Sequence, residues 1–495
     1  MRTFEVVLIV VNMLSLFLSF KKQPRVVWLG VAGTNVAVLV IHGIVEGFRY
    51  QMGFTYIFVI LLVVYSLVKI KINTPKIVKI TIISLSCVFL LITSILAYAL
   101  PVFTLPKPTG SQVVGIKYFH LIDEKRKEPF LDKSTKKREL MVKVYYPAKK
   151  DDSKPFDSYF HSPKLLKLFA GFYHMPQFIF NHLNLVKTYS KEDLQLSDKE
   201  QSYPVVLFSH GAGTTMEVQT SQCEDLASQG YIVVAIDHTY ASAGTVFPNR
   251  VVSQSEATAD FNTPEPAEII TQIMADDSKF VMDKLEEMNE GKMNTIFKEK
   301  LNLDKIGVIG HSVGGAVAYN LANNDSRVKA AIDLDGIVFI KPKENMAPFL
   351  MLANDKYHIQ AIQNREPLMD KFENMTEEDQ KFTLSVYGSE KGYKEAYNKA
   401  QENTSGLASV VKTSGNLFTI EGSDHMKFTD IGLFIGISKL RERIDIGGKT
   451  EPARCLEITK SVTTKFFDQY LKDKNKNSLE TLGEKYPELK HVDLK

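Results

Sequence analysis

The 495-residue chain reads as four transmembrane helices followed by a mainly parallel α/β domain. Three observations carry that reading. Long uncharged apolar runs are concentrated in the first hundred residues, short apolar runs alternate with helical stretches after them, and polar or glycine-rich turns close several of the short runs.

The long runs cover residues 6–20, 26–45, 54–68 and 80–100, each close to the length a bilayer requires. They predict spans at about 4–20, 26–46, 54–68 and 80–100, within a membrane region of residues 1–105. A cleaved signal peptide is disfavoured, because Lys21 and Lys22 follow the first run and no small-residue cleavage site precedes them. Lys21, Lys22 and Arg25 lie in one connector and Lys69, Lys71, Lys76 and Lys79 in another, which makes both cytoplasmic by the positive-inside rule. An even number of spans then leaves the rest of the chain outside the cytoplasm. His42 and Glu46, four apart near the end of the second span, fit either an intramembrane polar site or a pair at the interface.

Pro101, Pro106, Pro108, Thr109 and Gly110 form a linker into a soluble domain over residues 106–495. There, residues 140–146 alternate and predict a strand near a sheet edge, while 205–208, 231–236, 306–309, 328–334, 348–352 and 417–420 predict buried strands. Helices are expected at 220–228, 265–288, 314–322 and 450–471. Strands alternating with helices imply a parallel sheet, whose ligands bind at the carboxyl ends of the strands.

After the run at 306–309 comes Gly310-His311-Ser312-Val313-Gly314-Gly315, leading directly into a helix. GxSxG between a strand and a helix is a nucleophile elbow, the signature of the α/β-hydrolase fold. A serine hydroxyl needs a base and an orienting acid, in this fold in the order serine, acid, histidine. Only His358, His425 and His491 follow Ser312. His425, in Gly422-Ser423-Asp424-His425 after the final strand, is the favoured base. Asp333 and Asp335 end the strand after the elbow helix and Asp355 ends the next one. Spacing alone leaves Asp335 and Asp355 as alternative acids. Phe208-Ser209-His210-Gly211-Ala212-Gly213 supplies a small-residue turn, so the N–H groups of Ala212 and Val313 are the expected oxyanion donors.

Several separated blocks carry a family resemblance: 140–147, the turn from Phe208 to Gly213, 225–233, the elbow from Lys305 to Gly315, Ala331-Ile332-Asp333-Leu334-Asp335, and Gly422 to His425 with Phe428 and Asp430. Together they resemble the platelet-activating-factor acetylhydrolase family of lipases, of the plasma or lipoprotein-associated type. The resemblance implies that Asp335 is the acid and that short or oxidised acyl esters on phospholipids are hydrolysed without calcium. Two features depart from the family: the four-helix region, and a long stretch between Asp355 and Leu417 with a charged segment at 373–381. That stretch suits a lid or a reshaped acyl pocket. The aromatic-rich residues 156–184 fit an acyl pocket, a membrane contact or a helix packed on the sheet.

Other classes are disfavoured. Sixty Lys+Arg against 57 Asp+Glu give no basic field for nucleic acid. Three dispersed cysteines, Cys87, Cys223 and Cys455, make no disulfide framework or cysteine-built zinc site, and no metal or cofactor is expected. The expected protein is therefore a multi-pass membrane serine esterase whose partner is a lipid or small ester, with the catalytic domain extracytoplasmic. A general carboxylesterase or lipase, and a membrane sensor or scaffold that uses the fold only for binding, are the alternatives.

Overall fold

The computed structural model describes every residue except 22, 69–74, 260–265, 355–357, 444–445, 475–478, 480 and 495. Lys22, Lys69, Lys71 and the alternative acid Asp355 therefore lie outside the described residues, as does residue 265, the expected start of a helix. The chain divides into two compact units.

The first unit comprises Met1–Thr104, Met175–Lys187 and Leu433–Arg441. It holds α1 (Thr3–Leu18), α2 (Arg25–Val45), α3 (Gly53–Leu67) and α4 (Lys76–Ala99). Three helical segments, Arg25–Val45, Tyr50–Leu67 and Lys76–Ala99, are long and apolar enough to cross a membrane, whereas α1 is apolar but shorter, at 16 residues. The bundle is inverted relative to a soluble one. Leu14, Phe17, Ile44, Ile60, Leu61, Ile77 and Leu91 are exposed, while Asn12, Ser15, Asn35, Thr55 and Thr93 are buried. Asn35 Nδ2 donates to Ser15 Oγ at 2.9 Å, an interhelical bond.

At one end of the bundle a buried network joins all four helices. Arg49 donates through Nε and Nη2 to both oxygens of Glu5 at 2.6 Å, and to the carbonyls of Leu100 and Ala97 at 2.6 and 3.1 Å. The His42–Glu46 pair belongs to this network: His42 Nδ1 faces Glu46 Oε2 at 2.9 Å and Nε2 faces the Tyr56 hydroxyl at 2.8 Å. The two later segments of the unit bind here too. Gln51 Nε2 donates to the Ile179 carbonyl at 3.1 Å, Gly436 N–H donates to the Ala99 carbonyl at 2.9 Å, and Phe103 stacks on Phe434.

The second unit comprises Leu105–His174, Thr188–Gly432 and Glu442–Lys495. Its strands are β1 (Val113–Lys127), β2 (Lys137–Ala148), β3 (Ser190–Glu192), β4 (Tyr203–Ser209), β5 (Ile232–Asp237), β6 (Gly244–Val246), β7 (Val251–Ser253), β8 (Leu301–His311), β9 (Val328–Leu334), β10 (Phe349–Asn354), β11 (Leu417–Ile420) and β12 (Leu489–His491). Ten form one mixed, mostly parallel sheet in the order β12-β11-β10-β9-β8-β4-β5-β2-β1-β3, and β6 and β7 make a separate ribbon. The helices are α5 (Pro163–Phe172), α6 (Thr220–Ser228), α7 (Pro266–Asn289), α8 (Val313–Asn324), α9 (His358–Asn364), α10 (Glu377–Tyr387), α11 (Glu390–Ser414) and, after a short turn α12 (Ser438–Arg441) in the first unit, α13 (Pro452–Leu471).

Alternation along the central strands sends side chains to two cores. Leu207, Val308 and Ala331 pack with Met274 and Val281 of α7 and Val317 of α8 on one face. Phe208, Ile309 and Ile332 pack with Leu226 of α6 and Phe466 of α13 on the other. Helices on both faces explain why these strands read as continuous apolar runs.

The strand at 140–146, β2, lies near an edge as expected, with β1 paired along almost its whole length and the three-residue β3 beyond it. β1 was hidden by its composition: its second half, Leu121–Lys127 in the sequence LIDEKRK, is mostly charged. The charged segment at 373–381 enters a helical insertion. Thr376 caps α10, Gly388 ends it at φ 72°, and Ser389 caps α11.

Candidate active site

β8 ends at His311 and α8 begins at Val313, which leaves Ser312 alone in the turn at φ 58°, ψ −123°. Such a backbone costs a non-glycine residue about 1–3 kcal/mol and persists only where the surroundings impose it. Here Ser312 N–H donates to the Leu334 carbonyl at 3.0 Å, and the Ser312 carbonyl accepts from Gly315 and Ala316 at 2.9 and 3.2 Å. The two glycines of the motif are required by close approach. A Cβ on Gly310 would lie 2.1 Å from the Gly314 carbonyl oxygen, and one on Gly314 would lie 2.1 Å from the Ser209 carbonyl oxygen.

β9 lies beside β8, so Asp335 emerges next to the elbow. Asp335 is buried and held at φ 59°. Its Oδ1 accepts from Asn354 N–H and its Oδ2 from Asn354 Nδ2, both at 2.8 Å. His425, in the turn after β11, brings Nδ1 to 2.6 Å from the same Asp335 Oδ2. A carboxylate only accepts, so Nδ1 carries the proton and Nε2 carries the lone pair. Ser312 Oγ makes no hydrogen bond among the described residues.

The histidine loop is fixed to the elbow through Ser312's neighbour. His311 Nε2 donates to the His425 carbonyl at 2.9 Å, and the two rings are 4.5 Å apart. Burial, reinforced by His425, pushes the His311 imidazole down to about 3, so it stays neutral and is no rival base. Further along, Gln222 Nε2 donates to the Phe428 carbonyl at 2.6 Å, and Asp430 accepts from Ser221 N–H at 3.1 Å and from its hydroxyl.

β4 pairs with β8, Ser209 opposite Gly310, which sets the glycine-rich turn against the elbow. A Cβ on Gly211 would lie 3.2 Å from Ser312 Cβ. Gly213 N–H donates to the Ala241 carbonyl at 2.8 Å and Thr214 N–H to the Gly211 carbonyl at 3.1 Å. The Ala212 and Val313 N–H groups have no acceptor among the described residues.

Behind this turn lies a network that sequence reasoning missed. His210 Nδ1 donates to the Gly211 carbonyl at 2.8 Å, and its Nε2 accepts from His238 N–H at 3.1 Å. Burial and then His238 push His210 down to about 3. His238 bridges Ser209 Oγ at 3.1 Å and Asp277 Oδ2 at 3.0 Å, and Asp277 is clamped by buried Arg138 at 2.6 Å. Burial raises the Asp277 carboxyl, but Arg138 and His238 outweigh it and hold the group well below the usual range. A signal existed: Asp277 lies between Met274 and Val281 on the buried face of α7.

The other predicted residues fall elsewhere. Asp333 accepts from Gly336 N–H at 2.7 Å beneath the elbow and lies against Gly315. His491, at the end of β12, contacts the Gly415 carbonyl at 2.7 Å, at the amino end of β11 and so away from the elbow. Of His358 only the backbone, at the start of α9, is described. A groove of about 650 Å³ adjoins His425 and is bordered by Asn354, Gln360, Asn364, Leu368 and Asp370, so the insertion walls one side of the site.

Comparison with known proteins agrees with this architecture. The profile of the family "Platelet-activating factor acetylhydrolase, isoform II" matches residues 100–295 and 268–486. A platelet-activating factor acetylhydrolase of Canis lupus familiaris is 27% identical over 257 residues, 47% of this chain and 54% of that protein. A probable 1-alkyl-2-acetylglycerophosphocholine esterase of Arthroderma benhamiae is 26% identical over 260 residues, 50% of this chain and 62% of that one. The chain thus spans 54% and 62% of the length of these two relatives. A ferulic acid esterase from Streptomyces cinnamoneus superposes with a TM-score of 0.55 at 22% identity, covering 79% of this chain and all of that one, which shows the shared fold. With most of the second unit inside the profile match, the chain belongs to the platelet-activating factor acetylhydrolase, isoform II, family.

Proposed function

We propose that the protein is a membrane-anchored serine hydrolase that cleaves carboxylic esters of lipids, with short-acyl or oxidised phospholipids as its substrate class. The observation that carries the reading is the 2.6 Å contact of Asp335 with His425 beside a serine held in a strained turn. Ser312 Oγ attacks the ester carbonyl while His425 Nε2 takes its proton. Asp335 fixes the tautomer and stabilises the imidazolium. The oxyanion forms against the Ala212 and Val313 N–H groups, at the N-terminus of α8, where partial positive charge favours it. The imidazolium then protonates the leaving alcohol, and water releases the acyl group by the same steps reversed.

Kinship supports the substrate class, since the relatives above are named for esters of this kind. The inverted bundle supports the anchor: apolar side chains face outward, while Asn12, Ser15, Asn35, Thr55 and Thr93 face inward, Asn35 bonding to Ser15 across two helices. With α1 as a fourth span, the connector charges read in the sequence put the hydrolase unit outside the cytoplasm.

The test is made on the full chain in detergent micelles, with p-nitrophenyl acetate, short-acyl phosphatidylcholine and a fluorophosphonate probe. Hydrolysis and labelling are expected in the wild type, and Ser312→Ala is expected to lose the label and at least ~10³-fold in kcat. A folded wild type that neither hydrolyses these esters nor labels would leave the binding or scaffold reading in place of this one. A preference for long acyl chains with no dependence on the phospholipid head group would instead mark a general lipase or carboxylesterase.

A further inference from the structure

The aromatic-rich stretch at 156–184 has a role that the triad does not account for. Within it, α5 buries Leu165, Leu166 and Phe169 completely in the second unit. A second stripe of the helix, Leu168 and Phe172, one turn apart, lies over glycines beside the oxyanion turn. A Cβ on Gly213 would stand 2.3 Å from Phe172 Cζ, and one on Gly244 would stand 2.5 Å from Leu168 Cβ. Those glycines belong to one bonded substructure, because Gly213 N–H donates to the Ala241 carbonyl and Ala243 N–H to the Thr214 carbonyl, at 2.8 and 2.9 Å. Gly213 directly follows Ala212. The Phe172 ring is only half-buried and so keeps a free face.

A different part of the site is lined by the groove at His425. The groove at His425 is bordered by β10, α9 and the segment after it, and includes no residue of α5 or of the 210–216 turn. The protonated histidine must reach the leaving alcohol, so the leaving group lies on the side of that groove. With the oxygen in the oxyanion donors and the leaving group toward His425, the acyl substituent has the remaining direction, past Ala212 and Gly213.

We propose that Phe172, backed by Leu168, is the wall of the acyl site and sets the length of acyl chain accepted. The inference rests on the serine-hydrolase reading above and deepens it. It assigns Phe172 to specificity and leaves proton transfer to His425.

The experiment compares the full chain and its Phe172→Ala, Phe172→Leu and Phe172→Trp variants in one detergent, on p-nitrophenyl acetate and p-nitrophenyl octanoate. The octanoate-to-acetate ratio of kcat/KM is expected to rise about 10-fold in Phe172→Ala, to rise less in Phe172→Leu, and to fall in Phe172→Trp. This ratio is independent of the fraction of enzyme folded, so partial misfolding does not mimic the result. A second ratio, 4-methylumbelliferyl acetate to p-nitrophenyl acetate, varies only the leaving group and is expected to stay at its wild-type value. An active wild type with an unchanged octanoate-to-acetate ratio in the variants overturns the assignment. So does a change of both ratios together, which would mean a general disturbance of the site. An inactive, unlabelled wild type would instead remove the hydrolase reading on which the assignment stands.

Discussion

Asp335 serves two partners with one oxygen: Oδ2 receives both Asn354 Nδ2 and the His425 ring N–H, while Oδ1 receives the Asn354 backbone. Two donors on the same oxygen fix the direction of its lone pairs, and that direction fixes the plane of the imidazole. In the proposed triad Asn354 would thereby be a positioning residue one bond removed from the chemistry. Replacing it with Ala deletes the side-chain donor but keeps the backbone one, so the carboxylate turns more freely. The expected result is a fall of about 10-fold in kcat, ~1.4 kcal/mol, with little change in KM for a small ester. Steady-state kinetics on p-nitrophenyl acetate decides it, and an unaltered kcat would mean that Asp335 needs no support from β10. Nothing in the sequence marked Asn354, because an asparagine that ends an apolar run looks like any turn residue. Asp335 itself was left level with Asp355 by spacing, since each follows a strand at the same edge. Only the family resemblance separated them.

At the scale of elements, legibility followed burial. β9 and β11 begin and end where the apolar runs do, because both are mostly buried strands, and α6 spans its predicted residues although its buried sequence, TSQCEDLAS, is mostly polar. β1 escaped notice because strand pairing, rather than a buried face, defines its charged half. α10 and α11 are not legible as amphipathic helices because caps and glycine stops bound them, while α10 leaves Phe382, Leu384 and Val386 exposed and buries only Thr383. The loop that bears His425 follows the same rule: its hydrogen bonds to α6 are long-range and left no local pattern. In that latch, burial pushes the Asp430 carboxyl up to about 7, above its ordinary range, despite the bonds from Ser221. Between the unfolded value near ~3.9 and about 7 the folded state keeps a proton that the unfolded chain has lost, so the associated stability is full below ~4 and disappears as pH rises through about 7. Asp430→Asn is expected to remove this component, up to ~1.4 kcal/mol per pH unit, and so to flatten the fall in Tm between about pH 4 and 7. Equal slopes in the two proteins would show that Asp430 does not titrate in that window.

For the whole molecule, the chain passes twice from the second unit into the helical unit and back. The chain leaves the hydrolase unit after His174, two residues past the end of α5, and returns at Thr188. It leaves again after Gly432, two residues past Asp430, and returns at Glu442. Both excursions are built into the helical unit: the first through Gln51 with the Ile179 carbonyl and His182, the second through Gly436 on Ala99 and Phe434 on Phe103. Each therefore continues a segment that borders the proposed site, Phe172 on one side and the His425 loop on the other. A chain truncated to begin at Leu105 keeps both excursions and deletes the helices they pack on, which exposes the buried Leu183 and Phe434 to water with no compensating contact. Such a chain is expected to melt at a lower temperature and to lose at least ~10-fold in kcat/KM, the loss seen when supporting contacts are left to fluctuate. The full-length variants Gln51→Leu and Gly436→Val separate this from mere loss of an anchor. A side chain at Gly436 would meet the Tyr98 carbonyl oxygen at 2.1 Å and so disrupts one excursion while every helix is retained. Lowered kcat/KM toward water-soluble p-nitrophenyl acetate in these variants would tie catalysis to the helical unit. Wild-type kinetics in the truncated chain would reduce that unit to an anchor, since a soluble ester needs no membrane to reach Ser312.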